Sequence, residues 1–107
     1  MPFSDSRSHL RDIHESIQLI EIFVGGMDLV DYTRDAKTQA AVERKLLVIS
    51  EAAIRIGEDA ETLCPGVPWR DIRGIGNWLR HQYDRVNVET VWNTVKDDLP
   101  PTENCCG

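Results

Sequence analysis

Seven apolar residues, Val42, Leu46, Ile49, Ala53, Ile56, Ala60 and Leu63, follow one another at steps of 4, 3, 4, 3, 4 and 3. On an α-helix of about 3.6 residues per turn that rhythm places every side chain on one side; on a strand it would scatter them over both faces. The spacing therefore predicts one long helix from about Ala36 to Leu63, with Leu47 and Ile54 widening its stripe. Asp35 stands where an N-cap belongs. Glu51 and Arg55, four apart, read as a surface ion pair. A stripe of this length is hidden most simply against other helices, so the feature constrains the whole chain to an all-α fold.

The rest of the sequence supplies the partners. Leu10, Ile13, Ile17, Ile20 and Val24 step 3, 4, 3, 4 and predict a helix from about Ser6 to Phe23. Ser4 or Ser6 can cap its start and Gly25-Gly26 can close it. His14 flanks this stripe and reads as a partly buried structural histidine. Met27 to Arg34 is a short connection with room for one helical turn around Leu29, Val30 and Tyr32. Cys64-Pro65-Gly66-Val67-Pro68 breaks the long helix, and Pro68 suits the first turn of the next. Asn87 caps a further helix whose apolar side is Val88, Val91, Trp92 and Val95, and Leu99-Pro100-Pro101 ends it. Residues 101–107 carry no pattern and are expected to be a disordered tail. The expectation is a single domain over residues 1–107, a four- or five-helix antiparallel bundle with helices crossing at about 20°.

Size and charge narrow the function. A chain of 107 residues has room for one core. No apolar run approaches the roughly 18 residues of a membrane span, and Met1 to Arg11 lacks the apolar core of a signal peptide. The expected location is the cytoplasm. Cys64, Cys105 and Cys106 form neither an even disulfide framework nor a zinc pattern, so they are expected to be free thiols. A net charge of −6 excludes a general nucleic-acid binder, which would be basic over much of one face. Nucleic-acid contact would have to be local or use a second subunit. Gly74-Ile75-Gly76 is not a dinucleotide fingerprint, and no cofactor or metal set is expected.

One stretch reverses the charge. Trp69 to Arg85 carries four of the twelve Lys/Arg residues, opposed there by Asp71 and Asp84, so it stands at +2 on a remainder of −8. At about 100° per residue, Ile72, Ile75 and Leu79 face inward. Arg73, Asn77, Arg80 and His81 gather on a separate polar sector about 100° wide by the same arithmetic. Arginine can hold a phosphate through two hydrogen bonds, and histidine can move a proton near neutral pH. These residues suit chemistry at a phosphodiester, and on RNA the attack of a 2′-hydroxyl on its own phosphate needs no metal. A solvated helix face with salt bridges would carry the same residue types. Gly74 and Gly76 inside the helix each cost about 1 kcal/mol relative to alanine, which asks for close contact with another helix of this chain or of a partner.

The helix order together with VPWRDIRGIGNWLRHQYDRVN and the following VETVW and DDLP resembles the HepT-like toxins of the HEPN superfamily over residues 8–100. The resemblance implies an HEPN-like helical bundle, a metal-independent ribonuclease, a homodimer with both motifs facing one cleft, and a minimal nucleotidyltransferase antitoxin as partner. The family motif R-N-x-x-x-H-x-Y is met at Asn77, His81 and Tyr83, and Tyr83 is the residue to which such an antitoxin adds AMP. The motif arginine falls on Gly76. The implied catalytic set is His81 with Asn77 and either Arg73 or Arg80. The alternative is a catalytically weakened HEPN protein that binds a nucleotidyltransferase or a nucleotide.

Overall fold

The computed structural model describes the backbone of residues 2–81 and 87–106, and the side chains of residues 6–81 and 87–105. Helix α1 runs Pro2–Val24, α2 Leu29–Thr33, α3 Ala36–Ile56, α4 Asp59–Leu63, α5 Trp69–His81 and α6 Val88–Asn93. A π-helical turn, Thr94–Asp98, then leads into α7, Leu99–Cys106. Among the described residues there is no strand, and the all-α bundle expected from the stripes is the fold. Among the described residues no helix is long and apolar enough to cross a membrane.

The core sits where the two stripes meet. Ile13, Ile17, Ile20 and Val24 of α1 pack with Val42, Leu46, Ile49, Ala53 and Ile56 of α3, all buried. Each large aliphatic residue so hidden contributes about 1.5–3 kcal/mol. Helix α3 is the central element, with α1 on one side and α5 on the other. Asp28 and Asp35 cap α2 and α3 by accepting the Asp31 and Thr38 amides at 2.8 and 3.0 Å. Tyr32 of α2 is fully buried, its ring 5.1 Å from that of Trp92.

Four expectations are corrected. The helix expected from Ala36 to Leu63 is two helices. Gly57, at φ +68°, turns the chain between α3 and α4 in a conformation that suits glycine. Past that turn Ala60 is still buried in the core, but Leu63 is left exposed; Ile54, expected to widen the stripe of α3, is exposed as well. Residues 101–106 of the expected disordered tail lie instead in helix α7, which packs on α1. Leu99 and Thr102 are buried, and the Thr102 hydroxyl donates to the Asp98 carbonyl at 2.8 Å. Prolines 100 and 101 fall in the first turn of that helix, directly after the π-helical turn. The thiols expected to be free are not all so: Cys64 and Cys105 form a disulfide, with Cα atoms 6.0 Å apart, because α7 returns the chain to the end of α4. Helix α1 also begins at Pro2, ahead of the caps expected at Ser4 or Ser6.

Candidate functional site

Helix α5 begins on a plug. Trp69 is buried, and its indole N–H donates to the Cys64 carbonyl at 2.9 Å. Ile72, Ile75 and Leu79 follow at helical spacing, and all three are buried. Their inward commitment fixes which residues face out. Asn77, Arg80 and His81 are exposed. Arg70 extends this face toward the start of α5: it is exposed and stands seven residues, close to two turns, before Asn77. The same 100° arithmetic that groups the other residues would have found it in the sequence.

Arg73 behaves differently. It belongs to the same sector but is turned onto the protein. Its Nε donates to the Ala53 carbonyl at 3.4 Å, and Nη2 donates to the Gly57 carbonyl at 2.8 Å. The two Nη groups take both carboxylate oxygens of Glu61, at 2.8 and 2.6 Å. The hydrogen bonds and charge of Glu61 hold the guanidinium even further above its usual range, and those from Arg73 hold the Glu61 carboxyl below the usual carboxylate range. Within the chain, then, Asn77, Arg80 and His81 share an open surface, while Arg73 is committed to the α3–α4 corner.

The two glycines have opposite surroundings. A Cβ on Gly76 would fall on the Ser50 hydroxyl and lie 2.6 Å from the Ser50 Cβ. Position 76 is therefore where α5 meets α3, and any side chain there would enter that contact. A Cβ on Gly74 would meet nothing within 4 Å. Among the described residues, the close approach expected for both glycines is present for Gly76 and not for Gly74.

A groove of about 390 Å³ lined by Arg70, Asp71, Gly74, Trp78, Thr94 and Asp98 lies on the flank toward the π-helical turn. A second of about 390 Å³ lies between Arg7, Leu10 and Leu63. Neither includes Asn77, Arg80 or His81. Tyr83 lies outside the described residues.

A helical bundle that exposes an adjacent arginine and histidine on the helix carrying N-x-x-x-H defines a narrow class. A family model described as "Ribonuclease HepT-like" matches residues 13–106. The chain is 42% identical over 94 residues to a protein named "Probable ribonuclease HepT" from Thermococcus cleftensis, covering 88% of this chain and 86% of that one. It is 37% identical over 100 residues to "Putative RNase MJ0127" from Methanocaldococcus jannaschii, covering 94% and 83%. No solved structure matches it. The chain belongs to the ribonuclease HepT-like family.

Proposed function

We propose that this protein is a metal-independent RNA endonuclease, the toxin of a pair with a minimal nucleotidyltransferase antitoxin, acting in the cytoplasm. One observation carries the reading. Asn77, Arg80 and His81 stand together on the exposed face of α5, in the helix that holds the family motif. The absent motif arginine has a physical counterpart. Position 76 is closed by Ser50, and Arg80, one turn further on, puts a guanidinium within about 40° of the same direction.

In the reaction His81 takes the proton from a ribose 2′-hydroxyl or returns one to the departing 5′-oxygen. The 2′-oxygen bonds to phosphorus, the bond to the 5′-oxygen breaks, and the products are a 2′,3′-cyclic phosphate and a 5′-hydroxyl. Arg80 offsets the charge that gathers on the phosphoryl oxygens, and Asn77 orients the phosphate by hydrogen bonding. A homodimer brings two such faces together and supplies a second His81 for the other proton transfer. The antitoxin silences the site by adding AMP to Tyr83.

The test is RNA cleavage by purified protein in excess chelator. The wild type should leave 2′,3′-cyclic ends, and His81→Ala should be slower by roughly 10²–10⁴-fold, the usual worth of a positioned acid or base. Equal cleavage by both would remove His81 from the mechanism. The second reading, a weakened HEPN protein that binds a nucleotidyltransferase or nucleotide, draws on Gly76 itself, where the family's arginine is missing. It expects intact RNA with both proteins and co-purification with the nucleotidyltransferase.

A further inference from the structure

Arg73 lies one turn before Asn77 and two before His81 on α5, yet its guanidinium leaves the outward face. It gathers the Ala53 carbonyl near the end of α3, the Gly57 carbonyl in the corner and both oxygens of Glu61 on α4. An exposed ion pair by itself holds little. Here the pair is bidentate, the Arg73 side chain is 25% exposed, and two further bonds go to backbone carbonyls. The backbone of the same residue is also held, since the Ser50 hydroxyl donates to the Arg73 carbonyl at 2.8 Å. Three residues later, Gly76 seats against Ser50.

These contacts fall on one flank of α5 and resist its rotation about its own axis. Outward side chains end about 5–6 Å from a helix axis, so a turn of about 20° would carry their tips about 2 Å. A misplacement of about 1 Å at a reacting centre can cost roughly a hundredfold in rate. We infer that Arg73 is a positioning residue: it sets the rotation of α5, and with it the aim of Arg80 and His81, without touching RNA. The inference rests on the ribonuclease reading and names a further residue on which the same site depends.

The experiment compares wild type, Arg73→Met, Arg73→Lys, Glu61→Gln and the Arg73→Met/Glu61→Gln double variant in chelator. Arg73→Met should lower kcat roughly ten- to a hundredfold, with KM within about twofold of wild type and the pH profile of cleavage unmoved. Glu61→Gln should lose part of the same activity, and the double variant should be no slower than Arg73→Met, since both act through one contact. If Arg73 instead held the scissile phosphate, its loss would raise KM, and Glu61→Gln would leave activity intact or increase it; either result overturns the inference. Hydrogen exchange of the amides of residues 76–81 supplies a readout independent of RNA, and should quicken in Arg73→Met. Where Arg73→Met does not fold, Arg73→Lys, which keeps the charge but not the fork, takes its place in both measurements. If the wild type leaves RNA intact, the ribonuclease reading fails and exchange alone decides: faster exchange supports the lock on α5, and unchanged exchange overturns it.

Discussion

At the scale of single residues, Gly76 and Gly74 separate two reasons for a glycine in a helix. Gly76 is required by packing, because a methyl group would overlap Ser50 across the α3–α5 contact. Overpacking of this kind costs about 1–3 kcal/mol, against about 1 kcal/mol returned by the better helix former. Gly76→Ala should therefore lower the Tm, and Gly76→Arg, which would reinstate the family arginine, should lower it further and not restore activity. Gly74 has open space, so Gly74→Ala should raise stability by about 0.5–1 kcal/mol. Thermal melting of both alanine variants checks the opposite signs. A fall with Gly74→Ala would show that its open flank is covered by a second chain.

At the scale of elements, the apolar stripes of α1 and α3 and the two faces of α5 were legible because period alone decides which residues are buried. Ile72, Ile75 and Leu79 are inside, as their spacing requires. Period cannot register a change of helix axis, so the break at Gly57 was hidden behind apolar steps that continued to Leu63. The commitment of Arg73 was hidden for the same reason: two of its partners, Gly57 at that corner and Glu61 beyond it, come within reach only because the chain turns there. Helix α7 was hidden because two prolines end a helix as readily as they begin one. With the tail expected to be mobile, Cys105 had no place beside Cys64. The disulfide now joins residues 41 apart, a loop whose closure contributes about 4 kcal/mol through the unfolded chain. Cys105→Ser and dithiothreitol treatment of the wild type should therefore lower the Tm by similar amounts, and reductant should do little more to the variant. Mass spectrometry after alkylation should find two of the three thiols protected before reduction.

At the scale of the whole molecule, the excess of acid over base is resolved into particular carboxyls. Burial raises Asp98 above the usual carboxylate range, helped by Asp71 and Asp97; burial also raises Glu43. A hydrogen bond with Glu103 raises Glu21, bringing α1 and α7 together through two acidic side chains. Each of these groups binds its proton more readily folded than unfolded. Between the usual carboxylate range and the raised one the native state holds more protons, so stability grows as pH falls through that window. Asp35 and Glu61 have the opposite sign. Hydrogen bonds from Thr38 lower Asp35, and those from Arg73 lower Glu61. Their contribution is complete above the usual carboxylate range and is lost only as pH falls below it, through their folded values. The two sets together place the maximum of stability on the acid side of neutrality, the direction in which a net charge of −6 is also relieved. Melting curves over roughly pH 4 to 8 should show the Tm rising as the pH is lowered from neutral and then falling. Asp98→Asn should raise the Tm at neutral pH and flatten the descending limb there, because it removes the half-buried charge that Asp71 and Asp97 oppose, and should change little in acid, where Asp98 is already protonated. A Tm that fell with Asp98→Asn at neutral pH would show that the ionised carboxylate holds a partner of its own.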